Sequence, residues 1–305
     1  IPDSESNDYG LYTTFDYDIN NYGFHGGVRI DYKEVDCLDF NYNQVFESVN
    51  SSIGVFYKKN QHITRITYSG SYRAPHLSEL FSYGLHHGTM RFEIGNIDLD
   101  LEKSHQLDFK YQWNNDHIGF VVNPFIQFIN NFIAINPTDS LYQNIYRIYN
   151  YVQFNEVEMS GFELNFHYHP HFFHNWHIEQ SYSFINTLNG DNGMFLARTP
   201  SNKIKTKFTF DLSSYNFPLG INMFKIYHLY SFAQDNVALY ESATKSYSVL
   251  NMELFLKPLS RLSFNLGVNN LFNIEYVPHL SRIKEIAGGV PNPGRSFNVS
   301  CKYEF

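Results

Sequence analysis

The chain has 305 residues; 18% are aromatic, with 29 Phe and 24 Tyr but only 2 Trp, and 17% are charged. A net charge of −8 argues against a nucleic-acid binder, which needs a basic stripe. Two cysteines, Cys37 and Cys301, are too few for a disulfide scaffold, and no run of about 18 apolar residues supplies a membrane helix.

Read for period two, the sequence predicts thirteen strands. They lie near 8–18, 21–32, 47–58, 62–73, 101–113, 116–130, 149–168, 174–186, 203–213, 220–232, 244–257, 260–270 and 295–305. At 105–113, Leu107, Phe109, Tyr111 and Trp113 oppose Asp108, Lys110 and Gln112. At 203–212, Ile204, Phe208 and Phe210 oppose Lys203, Lys205 and Lys207. In the last strand Phe297, Val299, Cys301, Tyr303 and Phe305 share one face. Soluble strands average about five or six residues, whereas a bilayer demands about 9–11 tilted ones; most of these segments meet the second length.

Short turns and long loops alternate strictly. Turns fall at 20–21, 59–61, 114–115, 170–173, 214–218 and 258–259; loops fall at 33–46, 74–100, 131–148, 187–202, 233–243 and 271–294. A soluble sandwich has no reason to alternate in this way; a transmembrane antiparallel β-barrel does. The fold class expected is therefore all-β, with apolar faces toward lipid and polar faces toward the lumen. Cys301 falls on the lipid face and Cys37 in a loop. An odd strand count puts the two ends on opposite sides of the membrane. That predicts either a missed strand or the C-terminal part of a larger barrel.

Several phrases resemble the barrel of TonB-dependent outer-membrane receptors. Tyr72-Arg73-Ala74-Pro75 with Glu79-Leu80 is similar to the family's "F/Y-R-A-P…E-L" segment. Gly95-Asn96, Leu99 and Leu101-Glu102-Lys103-Ser104 are similar to its continuation. Ser160-Gly161-Phe162-Glu163, Asn269-Asn270-Leu271-Phe272-Asn273 with Tyr276, and Pro293-Gly294-Arg295 with Phe305 follow in order. The resemblance implies a barrel of about 22 strands around an N-terminal plug, with neither the plug nor the energy-coupling box in this sequence. It also implies an outer-membrane receptor that imports a scarce nutrient and draws energy from the TonB complex.

The loop 74–100 carries the candidate ligand residues His76, His86, His87 and Glu93, with Arg73 at its entry. The stretch from Glu79 to Thr89 resembles receptors of zinc or haem uptake. Neutral imidazoles ligate zinc or haem iron, so the transported ligand expected is zinc, haem or a ferric chelate, with His86 and His87 as metal ligands. Arg73 and Arg295 sit where an anionic ligand or lipopolysaccharide would meet them, or where carboxylates of neighbouring strands would. The dense run from His167 to His177 spans a short turn and is expected to be interfacial rather than ligating. Phe297, Tyr303 and Phe305 fit the signal read by the outer-membrane assembly machinery, and equally fit plain lipid-facing alternation.

No nucleophile elbow, phosphate loop or paired carboxylates suggest an enzyme. A passive channel of about 14 strands and a receptor-like structural subunit of a larger complex are the alternative expectations.

Overall fold

A computed structural model describes residues 1–170, 175–215, 217–285 and 289–305. Fifteen strands form one sheet, thirteen of them hydrogen-bonded in chain order. They are β1 (Glu5–Ile19), β2 (Tyr22–Cys37), β3 (Tyr42–Lys59), β4 (His62–Arg73), β5 (Tyr83–His86), β6 (Arg91–Ile94), β7 (Glu102–Asn114) and β8 (Ile118–Tyr142). β9 (Tyr146–Tyr168), β10 (Trp176–Asn189), β11 (Lys203–Asp211), β12 (Ile221–Ser231), β13 (Tyr247–Leu259), β14 (Leu262–Asn269) and β15 (Ser296–Tyr303) complete it. β5 and β6 stand off the main path. Among the described residues β1 pairs only with β2, and β15 only with β14, so the sheet is open at both edges.

Register keeps the two faces chemically distinct. Ile66 pairs with Phe109 and Tyr68 with Leu107, while Arg65 pairs with Lys110 and Thr67 with Asp108. At the far end Phe297 opposes Val268 and Val299 opposes Leu266, while Ser300 opposes Asn265. The apolar face is the one a bilayer covers, which is why Phe297, Val299 and Tyr303 stand exposed. Trp113 against Phe120 and Trp176 against Phe210 mark the short-turn end of that face with an aromatic belt.

Two expected long loops are not loops. β2 and β3 run on together and are joined only by a 3-10 turn at Leu38–Phe40. β8 has 25 residues and β9 has 23, and they stay paired to Tyr142 and Tyr146. A 25-residue strand extends about 80 Å, far beyond a hydrocarbon core of about 30 Å. The sequence hides this because the pattern inverts above the bilayer. On β2 the inner face carries His25, Gly27 and Arg29 lower down, then Val35 and Cys37, while Glu34 and Asp36 turn outward to water. Tyr42 and Phe46 are the inner residues of β3 there, and Ile133, Tyr151 and Val157 those of β8 and β9.

The inverted stretch has its own core. Val35, Cys37, Phe46, Leu80, Phe81, Leu99 and Ile133 pack as one cluster, with Tyr42, Ala74, Leu77, Leu101 and Tyr151 around it. Cys37, placed by its sequence in a loop, is thus the last residue of β2 and buried; Cys301 is exposed, and both thiols are free. Leu80, Phe81 and Leu99 come from the segment between β4 and β7, so that segment folds inward across the mouth of the sheet.

Candidate functional site at the mouth of the barrel

The segment 74–101 is held by the residues that open it. Pro75 removes a backbone donor just beyond β4 and ends the ladder. The Ser78 amide donates to His76 Nδ1 at 3.3 Å, and the His76 amide donates to Glu79 Oε2 at 2.8 Å. This reciprocal capping box starts α1 (Leu77–Phe81). Arg73 Nη1 donates to Glu79 at 2.8 Å and its Nη2 to Glu102 at 3.1 Å. Farther on, the Gly95 amide donates to Ser82 O at 2.6 Å and the Asn96 amide to Glu79 O at 2.9 Å. A Cβ on Gly95 would stand 2.4 Å from the Leu80 carbonyl oxygen, closer than any side chain tolerates.

β5 and β6 form a hairpin, and β6 then pairs in parallel with residues 148–150 of β9, above the point where β10 has ended. Glu93 on β6 is buried; Arg91 Nε donates to it at 2.6 Å and the Tyr151 hydroxyl at 3.3 Å. The Arg91 guanidinium also lies 5.0 Å over the Tyr149 ring. His86 and His87 occupy the exposed hairpin tip, where His86 Nδ1 meets Thr89 Oγ1 at 3.1 Å. The fold therefore does not gather His76, His86, His87 and Glu93 into one ligand set. His76 is spent on a helix cap and Glu93 on an ion pair, and Arg73 is likewise taken by carboxylates. Among the described residues no three His, Cys, Asp or Glu side chains are placed to hold a metal ion.

The remaining loops converge on one carboxylate. Glu241 accepts the Arg198 amide on both oxygens, at 3.0 and 3.1 Å, and Lys284 Nζ at 3.0 Å. His279 Nε2 lies 3.3 Å from Glu241 Oε1. Burial would raise the Glu241 carboxyl, but His279, Lys284 and the Arg198 backbone outweigh it and hold the group down at about 2. Next to it Tyr240 reaches the tip of the β8–β9 pair, where Arg147 lies 3.9 Å over its ring and Asp139 accepts its hydroxyl.

Two chambers result. One of about 430 Å³ is bordered by Arg91, inner-face Ile133 and Tyr149, Arg198, Tyr240 and Lys284. The other, about 520 Å³, is bordered by Ser82, Tyr83, His86, Arg91, Glu93 and Arg282. Arg91 stands in the wall of both. Such concave, mixed-polarity spaces are where a ligand would find both apolar contact and a few fixed polar groups.

Residues 1–271 match the family model described as TonB dependent receptor-like, beta-barrel. The chain belongs to the TonB-dependent receptor β-barrel family. Its barrel is accordingly an outer-membrane one, with the loop end extracellular. Among solved structures it is similar to a copper transporter named OprC, with TM-score 0.83 and 18% identity, over 99% of this chain and 48% of that one. It is similar also to the FrpB iron transporter of Neisseria meningitidis (F3-3 variant), with TM-score 0.74 and 19% identity over 99% and 45% of the two chains. For the siderophore receptor PirA of Acinetobacter baumannii the TM-score is 0.72 and the identity 16%, over 98% and 46%. At these identities the likeness is one of fold, and the chain spans about half the length of each structure. No curated protein sequence matches it.

In this TonB-dependent receptor barrel His167, His169 and His177 face the lumen at the periplasmic end. The His167 and His177 rings stack 6.0 Å apart, His169 stands edge-on to His177, and His177 Nε2 is 3.1 Å from Glu179. These groups line a chamber of about 750 Å³ with Lys205, Lys207 and Asn251. His171 and His174 lie outside the described residues. The mouth residues that period and motif pass over are Arg91, Arg198, Arg282, Glu241 and Lys284. One compositional signal marks the arginines among them: of nine arginines, six, at 73, 91, 147, 198, 282 and 295, lie at the extracellular end.

Proposed function

We propose that this barrel belongs to an outer-membrane receptor that captures a metal or metal chelate at its extracellular mouth and imports it with energy from the TonB complex. The family match over residues 1–271 carries this reading. The open sheet edges, the half-length coverage of the similar structures and the polar lumen face support a larger barrel with a plug inside it. A family of receptors favours this over a passive channel, a structural subunit or an enzyme. His86 and His87, exposed at the β5–β6 tip, are the first groups a ligand arriving from outside meets, and Arg73, His76 and Glu93 hold the segment that presents them. Lipopolysaccharide surrounds the apolar face. Phe297, Tyr303 and Phe305 serve as the assembly signal, since β15 presents its apolar side in an unbroken row.

The test is uptake by cells carrying the full-length receptor, given copper, zinc, haem and ferric chelates in turn. Saturable uptake of one of them is expected to stop when the proton-motive force is collapsed. Uptake that persists without it would overturn the receptor reading in favour of passive diffusion.

A further inference from the structure

We infer that a polar row on the lipid-facing side of the sheet, made of Gln180, Thr206 and His228, is the contact by which the barrel pairs with a second copy of itself inside the membrane. The inference does not depend on what the receptor carries.

Register fixes the row. Gln180 on β10 pairs with Thr206 on β11, and Thr206 with His228 on β12. On each strand these residues alternate in step with Trp176, Phe210 and Phe224, which belong to the apolar face. The layer below is Ile178, Phe208 and Ile226; the layer above is Tyr182, Ile204 and Tyr230. Glu179, Lys207 and Tyr227, one residue away on each strand, form the opposite, lumenal layer. The polar row is therefore an interruption of the lipid face and not a slip of the strands.

Its depth makes the interruption costly. At about 3.3 Å per residue and a tilt of about 40°, Gln180 stands roughly 10 Å above Trp176 and roughly as far below Phe184. Hydrocarbon offers a carboxamide, a hydroxyl or an imidazole no partner at that depth. The row satisfies itself only in part. Gln180 Nε2 donates to Thr206 Oγ1 at a long 3.4 Å, and His228 Nε2 meets the Ser248 hydroxyl at 2.8 Å. Among the described residues Gln180 Oε1 and His228 Nδ1 have no partner.

The chain's own wall does not cover this face. Each of β10 to β13 already has both neighbours, and the free edges are those of β1 and β15. Lipid headgroups lie at the two interfaces, out of reach of the row. A second copy meets the need through symmetry. A twofold axis along the membrane normal leaves depth unchanged, so each polar group faces its counterpart at its own height. A carboxamide, a hydroxyl and a neutral imidazole each carry a donor and an acceptor, so the row complements itself across such an axis. An unrelated barrel would match only if its own polar groups fell at this depth. Phe166 and Leu250 end the row, and with Tyr182 and Tyr230 above it they supply the surrounding apolar contact.

The experiment uses the full-length receptor, fluorescently labelled and reconstituted in phospholipid vesicles. Copies per particle are counted by stepwise photobleaching as lipid is added. The wild type is expected to be paired at low lipid dilution and to separate as lipid increases. In Gln180→Leu/Thr206→Val/His228→Leu the pairs are expected to separate at a dilution roughly tenfold lower, the scale of a few hydrogen bonds lost inside a membrane. Gln180→Leu and His228→Leu singly are expected to show part of that change. Thr64→Val, the same kind of substitution on the lipid face of β4, is expected to leave pairing as it was. Folding yield into vesicles is expected to hold or rise in the triple variant, since its new side chains suit lipid. A lower yield would mean that the row braces its own barrel, and overturns the inference. So does a wild type that stays single at every dilution, or pairing unchanged in the triple variant. Recovery of a different protein on this face from native membranes, with the purified receptor single, overturns it as well.

Discussion

At the scale of the residue, the mouth depends on a few groups whose chemistry admits no substitute. Gly95 passes against the Leu80 carbonyl where a methyl group would collide. Gly95→Ala is expected to cost about 1–3 kcal/mol locally and to free the segment 74–101 from β4 and β7. Limited proteolysis should then cleave between His76 and Leu101 in the variant and spare the wild type. Glu241 makes a different kind of prediction. Its folded pKa of about 2 lies below the ordinary 4.5, so its contribution is complete above the ordinary value and lost as pH falls through about 2. Loops 190–202, 232–246 and 270–295 should therefore loosen across that acid window. In Glu241→Gln they should be loose already at pH 7, with little further change on acidification. Amide exchange at Arg198, whose N–H Glu241 accepts, reports both states; equal protection in variant and wild type at neutral pH would show that the latch lies elsewhere.

At the scale of the element, the sequence is legible wherever one rule governs a strand throughout. Period two located all thirteen strands of the main path, because lipid on one side and polar lumen on the other impose a single alternation. It failed at 33–46 and 131–148 because the surroundings exchange roles there: water lies outside, and the packed segment 74–101 lies inside. Glu34 and Asp36 then read as loop residues, although they are the solvent face of a paired strand. α1, β5 and β6 were not legible either. Five residues are too few for a helical period, and the partner of β6 lies in β9, beyond the reach of local pattern. The phrase from Tyr72 to Glu79 was recognisable as a resemblance, and the structure gives its chemistry in Arg73, His76 and Glu79. The bias of arginine toward the loop end was legible in composition, but which of these single residues from unrelated loops meet at the mouth was not.

The inversion is itself testable. Ile53 lies on the outer face of β3 within the expected bilayer, and Val35 on the inner face above it. Ile53→Lys is expected to cost about 2–4 kcal/mol of folding into lipid vesicles. Val35→Lys should leave insertion intact and instead expose the cluster around Leu80 and Phe81. Vesicle folding yields and protease sensitivity separate the two; a Val35→Lys chain that fails to insert would mean the inversion begins higher on the strand.

At the scale of the whole molecule, the barrel is a wall with a packed rim at one end. The wall is built from hairpins, each strand of the main path pairing with its neighbours along that path in chain order. The rim is built differently. Its cluster draws residues from β2, β3, β8 and the segment 74–101, and its latch ties three loops and the β8–β9 tip. Stability of the wall and shape of the mouth are therefore separable, and substitutions confined to the mouth loops are expected to leave the barrel able to insert.

The parallel seating of β6 on β9 carries a consequence in time. Phe92 pairs with Ile148, across the whole of β7 and β8, and no adjacent hairpin can supply that edge. The seat exists only once β9 has been laid against β8 and has projected past the end of β10. Biogenesis must then run from wall to rim: the membrane hairpins zip up first, and the mouth is finished last. Pulse-labelled amide exchange during assembly should find residues 92–94 gaining protection after residues 118–130. A barrel caught between the two stages would be inserted and stable, with its mouth still unformed.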